Sequence, residues 1–162
     1  MKTKLLMLGL VLTLLVGSVS ALPFYRNPES PFYGMFKFTE RLEELVALTN
    51  QRRLEVAIKH AERRTEELGS VTKDITFIKV QMELEEKVER ANELCEKLGD
   101  EESKIRLQEQ VREVNQKSLQ VLEQVRARWQ ENSMIMDGIQ NAIQTHQEIK
   151  AQVEERIRGG NN

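Results

Sequence analysis

A single cysteine, two histidines and three prolines in 162 residues exclude several kinds of protein at the outset. Cys95 alone closes no internal disulfide, so a chain working outside the reducing cytoplasm must draw its stability from packing. The thiol is either buried as a small hydrophobe on an apolar seam or paired between chains. His60 and His146 are the only candidates for acid–base work near neutrality. His60 has Val56 and Arg64 one turn away on either side, and His146 has Ala142 and Lys150, so neither gains a second metal ligand at i±4. The Glu-x-x-His spacing of di-iron bundles, the Gly-x-Ser-x-Gly elbow, a phosphate-cradling glycine loop and a Cys/His nucleophile pair are all missing. The sequence thus predicts no catalytic residue, no metal site and no cofactor.

A surplus of positive charge is also lacking. Lys and Arg number 24 against 26 Asp and Glu; taking away Lys2 and Lys4 leaves 22 against 26, a net charge of −4. Nucleic acid is excluded as a partner on that ground, since phosphates need Lys and Arg gathered on one face. Charges of both signs alternate along the chain. Pairs with the acid four residues before the base, Glu55/Lys59, Glu83/Lys87, Glu86/Arg90, Glu93/Lys97 and Glu102/Arg106, predict solvated helix faces worth ~0.3 kcal/mol per pair.

What is present is a leader followed by helices. Lys2 and Lys4 precede an apolar run over residues 5–17, relieved only by Gly9 and Thr13, and Val19-Ser20-Ala21 offers small residues where a signal peptidase cuts. Residues 1–21 are expected to be removed as a secretory signal peptide, which leaves Leu22 first and the mature chain extracytoplasmic. An uncleaved anchor is the alternative, because the run approaches the ~20 apolar residues that cross a bilayer.

Residues 22–38 hold all three prolines, both tyrosines and four of the five phenylalanines, so residues 22–37 form a separate Pro/aromatic segment. Ser30-Pro31 reads as an N-cap and first helical position. Phe32, Tyr33, Phe36 and Phe38 are expected either to plug the end of a helical bundle or to dock on an envelope partner. Residues 38–158 then read as one helical domain and residues 159–162 as a frayed tail. Leu42, Leu45 and Leu48 recur at helical spacing, Thr49-Asn50 marks a kink or break, and Leu54, Ala57, Ile58, Ala61 and Leu68 resume in a shifted phase. Gly69-Ser70 ends this helix and Thr72 or Asp74 opens the next. There Phe77, Gln81, Leu84, Val88, Ala91, Cys95 and Leu98 form a seam of alternating fours and threes. Gly99 is expected as a left-handed C-cap and Asp100 as the following N-cap.

From Leu107 onward one heptad phase persists through Val111, Val114, Ser118, Val121, Val125, Arg128, Asn132, Ile135, Ile139, Ala142, His146, Ile149 and Val153. No Pro or C-cap Gly interrupts it at a suitable place. The spacing predicts one helix over residues 101–158, ~85 Å long, in an all-α antiparallel bundle or hairpin with a long coiled-coil-like C-terminal helix. The alternative is a turn near residues 131–138 and a four-helix up-down bundle. An overhanging long helix would leave Ile135, Ile139, Ile149 and Val153 uncovered, which predicts a homodimer through the distal half with Asn132 and His146 setting register.

Ser30-Pro31-Phe32-Tyr33, Glu40-Arg41, Leu48-Thr49, Ala57 and the run Ala61-Glu62-Arg63-Arg64-Thr65-Glu66-Glu67 resemble a family of uncharacterised secreted helical domains of archaea and bacteria, over residues 30–68. Its members look alike in a signal peptide, a Ser-Pro-Phe-Tyr entry, a Leu-Thr break and an Ala-Glu-x-Arg helix. This chain departs from the pattern at Thr49-Asn50-Gln51, where the family places an Asp-Pro helix start, so Thr49 or Asn50 must cap instead. Leu48-Thr49 and Gln51 are also similar to the Leu-Thr motifs of small periplasmic stress chaperones. The expected role is a secreted, non-enzymatic structural or protein-binding one at the cell envelope. A chaperone with an exposed apolar cradle and a metal-binding or metal-sensing helical protein are the alternatives.

Overall fold

The computed structural model describes residues 27–159; the signal-peptide, anchor and Leu22 expectations lie outside them. Five α-helices and no strand occur among the described residues: α1 (Tyr33–Val46), α2 (Asn50–Ser70), α3 (Asp74–Glu96), α4 (Glu101–Arg126) and α5 (Ser133–Gly159), with a 3-10 turn at Ala127–Trp129. The all-α bundle is as expected. Helix α1 runs without interruption across residues 37–38, where the sequence suggested a segment boundary.

Local chemistry sets each boundary. The Ser30 hydroxyl accepts from Phe32 N and its carbonyl from Tyr33 N, so the helix starts two residues after Pro31. Thr49 caps α2 by accepting from Arg52 N, and Asp100 caps α4 by accepting from Ser103 N. Gly99 does not take the expected left-handed conformation; no described glycine has positive φ. Lys73, the N-cap of α3, makes no side-chain cap. The Glu29 carboxylate supplies one instead, accepting from Thr72 N at 2.7 Å and Lys73 N at 2.8 Å. These bonds hold the Glu29 carboxyl below its ordinary range.

Helices α2 to α5 make a four-helix bundle of two stacked antiparallel hairpins. In α2 and α4 the contacts climb together, Glu55–Arg106, then Thr65–Ser118 and Glu66–Lys117, so these neighbours are parallel. The same holds for α3 and α5, joined by Asn132–Asp74, Gln81–Gly138, Asn92–Gln152 and Arg156–Glu96. Helices α2 and α5 take opposite corners, so the link from α3 to α4 crosses the bundle diagonally. A simple up-down ring would instead keep every sequence neighbour adjacent. The core joins Leu54, Leu68, Phe77, Leu84, Leu107, Leu122, Ile135 and Ile139.

The long C-terminal helix is not formed. The chain reverses after Trp129, and its backbone stays right-handed through Arg126, Ala127 and Gln130, so the turn requires neither glycine nor proline. Arg128 and Asn132 are its anchors, not seam residues. Arg128 donates to the carbonyls of Val71 and Gly69 at 3.0 and 3.1 Å, satisfying orphan acceptors at the end of α2. Asn132 accepts from Ile135 N and donates to Asp74. Gly138 lies inside α5, where it admits Gln81: an added Cβ would stand 3.1 Å from the Gln81 Oε1.

Spin labels at Gln110 and Gln152 test the hairpin. Antiparallel packing of α4 on α5 predicts a separation of roughly 10–20 Å, against ~60 Å for a continuous helix; a double electron–electron resonance distance at the longer value would refute the turn.

Candidate functional site

Helix α1 lies against the α2–α3 hairpin, antiparallel to α2, and its two faces carry reversed chemistry. The inner face is largely ionic. Arg64 of α2 is 0% exposed and reaches both Glu40 oxygens at 2.5 Å, the Glu67 carboxylate and the Tyr33 hydroxyl. Tyr33 also donates to Glu67 at 2.7 Å. Lys37 bridges Glu83 of α3 at 2.7 Å and Glu40 at 3.1 Å. Arg63 pairs with Glu43 and stands 5.2 Å over the Phe36 ring, a cation–π contact.

One turn along, His60 is fully buried with a carboxylate at each ring nitrogen. Nε2 is 3.0 Å from Glu43 and Nδ1 3.2 Å from Glu44. Lys59 reaches Glu43 and Lys87 reaches Glu44, so both lysines pair with α1 rather than with the acids four residues before them on their own helices. Hydrogen bonds from His60 and Lys59, with the Arg63 charge, overcome burial and hold Glu43 down at about 2. Glu67 goes the other way. Burial, with Glu40 sharing the same guanidinium, pushes its carboxyl up to about 7 against the pull of Arg64.

The outer face of α1 is apolar. At 100° per residue Leu45, Phe38, Leu42, Met35 and Val46 fall in one arc, with Gly34 and Arg41 as the other members. Phe38 is 61% and Leu45 73% exposed, and Leu48 beyond the helix end is 82% exposed. Leu42, Leu45 and Leu48, expected at core spacing, therefore face outward or sit half-buried, because the ionic face has taken the inward position.

The other sequence candidates separate cleanly. Tyr33 and Phe36 are buried, while Phe32 and Phe38 are exposed, so the aromatic group is divided between plug and surface. Ile135, Ile139, Ile149 and Val153 are buried inside the chain's own bundle, which removes the overhang that argued for a dimer through this stripe. Asn132 holds the turn. His146 is buried with Nδ1 against Asn115, which donates to the His146 carbonyl at 2.6 Å; its Nε2 has no partner, and burial pushes its pKa down to about 4. Cys95 is free and buried, and burial raises its thiol to about 11, far from a reactive thiolate. Sequence reasoning missed the site because both partners of His60, and Glu40 and Tyr33 at Arg64, come from α1, across the Thr49 break. The signal was Glu40, Glu43 and Glu44 on the same helix as an apolar stripe.

The sequence model of a family described as a domain of unknown function (DUF5667) matches residues 27–132, from the Glu29 cap region through α4 and its turn. The resemblance over residues 30–68 falls inside that span. No curated protein and no solved structure matches the chain.

Two predictions follow from the buried charges. Arg64→Ala strips the counter-charge from Glu40 and Glu67 and is expected to cost ~3–5 kcal/mol in urea unfolding; replacing Arg64, Glu40 and Glu67 together by apolar residues of similar size should recover most of it. His146 and Glu67 act oppositely on pH. For His146, whose folded pKa is lowered to about 4 from 6.5, the contribution is complete above pH 6.5 and is lost as pH falls through about 4. For Glu67, raised from 4.5 to about 7, it is complete below pH 4.5 and is lost as pH rises through about 7. Each is worth about 3 kcal/mol, so they offset between pH 4.5 and 6.5. His146→Leu should leave stability falling as pH rises across that window, and Glu67→Gln should leave it rising; identical profiles for the two variants would refute the assignment.

Proposed function

The chain belongs to the DUF5667 family, a domain of unknown function, and from that premise we propose a non-enzymatic helical binding protein of the cell envelope with α1 as its binding element. One observation carries this reading: α1 turns Lys37, Glu40 and Glu43 inward with Tyr33 and Phe36, and leaves Met35, Phe38, Leu45 and Val46 in water. Burying apolar surface stabilises by ~25 cal/mol per Å², whereas a buried ion pair is often no better than an apolar replacement. Arg64 and Arg63 of α2 hold the charged side of α1 inward through Glu40 and Glu43, and the apolar stripe this leaves in water is open to a partner.

A chaperone cradle is a weaker reading. The open groove of about 360 Å³ between α1, α2 and α3 is lined by Glu44, Arg53, Glu86, Lys87 and Arg90 along with a few apolar residues, and the apolar stripe is on the opposite, convex side of α1. For metal binding, no group of three or more His, Cys, Asp or Glu side chains able to hold an ion occurs among the described residues. The extracytoplasmic setting rests on the leader pattern of residues 1–21.

A benzophenone amino acid placed at Phe38 or Leu45 in producing cells should form photo-adducts, while one at exposed Gln124 on α4 should not. Equal yields at all three positions, or none at Phe38 and Leu45, would overturn the reading. Leu45→Glu should change unfolding free energy by no more than about 0.5 kcal/mol, since the side chain is already in water.

A further inference from the structure

We propose that the outer face of α1 seats at the headgroup–acyl boundary of a phospholipid bilayer. The inference rests on reading α1 as the binding element and names what it binds. The arc of Leu45, Phe38, Leu42, Met35 and Val46 contains no acidic residue, and its one ionised side chain is Arg41, which is exposed. That is the composition of an interfacial helix: apolar side chains enter the acyl region, and a guanidinium extends from the flank to lipid phosphate. The helix is held by its opposite face, where Arg64 of α2 grips Glu40 and Lys37 reaches Glu83 of α3. The outer face can therefore enter an apolar medium without exposing its charged side.

A second copy of the chain fits this face poorly. Fourteen residues of helix give a stripe ~21 Å long and ~10 Å wide, a footprint of roughly 200 Å² against the ~800 Å² per partner of a stable interface. A bilayer needs no complementary partner surface; its binding scales with the apolar area it takes in and with charge attraction to lipid phosphate, so a short stripe suffices to seat at the boundary. Chain length favours it too. Where the leader is retained as an anchor, the alternative to its cleavage, the apolar run over residues 5–17 ends 16 residues before Tyr33, a span of at most ~55 Å when fully extended, so α1 stays within reach of the membrane that the run enters. No described helix is long and apolar enough to cross a membrane, so lipid would be met by a helix surface.

The test uses the full chain with Phe38→Trp in a Trp129→Phe background, mixed with phosphatidylcholine–phosphatidylglycerol vesicles containing brominated acyl chains. Expected are a blue shift and strong quenching of the introduced indole, both lost when Leu42→Glu and Leu45→Glu are added. Unaltered Trp129, buried beside Phe77 with ring centroids 5.2 Å apart, should remain unquenched in the parent chain and report that the bundle is intact. Three outcomes overturn the proposal: no vesicle binding, binding without quenching, or an indole already blue-shifted before lipid is added, which would mean that a second copy or the chain's own N-terminal segment covers the stripe. The benzophenone experiment separates the two readings. An adduct with protein rather than lipid at Phe38 removes the bilayer and keeps the binding element; no adduct removes both.

Discussion

The enclosure of Arg64 is the constraint on which the rest of the molecule depends. A guanidinium fully removed from water must find carboxylates, and α2 alone supplies only Glu67. The others are Glu40 from α1 and Glu83 from α3, whose oxygen is 3.4 Å from Nε. One side chain thus ties three helices together and specifies how α1 is rotated. Turning α1 over would bury Phe38 and Leu45, but it would leave an unpaired cation in the interior, which costs more than the apolar burial returns. The aromatics Tyr33 and Phe36 complete the enclosure by lying 5.6 and 6.0 Å from the guanidinium carbon.

Much of the bundle was legible in the sequence, because burial there follows periodicity. Phe77, Gln81, Leu84, Val88, Ala91 and Cys95 are all buried as their spacing requires, and so are most of the positions from Leu107 to Val153. The same periodicity concealed the reversal at Trp129. Helix-like torsions persist to Gln130, and the two helices that flank the turn each bury one stripe. A heptad count through the turn registers two correct faces and no break. Arg128 and Asn132 looked like weak points in a seam because their partners, Gly69, Val71 and Asp74, are more than fifty residues away.

Helix α1 was illegible for a different reason. Pattern reading assumes that the apolar side is the buried side, and that assumption holds where apolar burial is the leading favourable term. It fails where a concentrated ionic cluster meets the helix. At Thr49-Asn50-Gln51 the sequence predicted a kink or break capped by Thr49 or Asn50, and Thr49 is the cap, yet the consequence of the break, α1 folding back to set Glu43 and Glu44 against His60, depends on contacts 16 and 17 residues apart. No spacing within a single helix encodes them.

The family match ends at Asn132, one residue before α5, but the physics of the core does not stop there. Val111, Val114, Leu122 and Val125 on α4 belong to one apolar cluster with Ile135, Ile139, Ile149 and Val153 on α5, and Asn115 is satisfied through the backbone and ring of His146. A chain cut at residue 132 would expose that seam and leave Asn115 without its buried partner. The α1–α3 face would keep every contact of its ionic network, since none involves α5. The molecule therefore divides by chemistry rather than by the matched span: α4 and α5 supply an apolar foundation, and α1 is held on its far side by charge, which leaves the outer surface of α1 free to vary without disturbing the core.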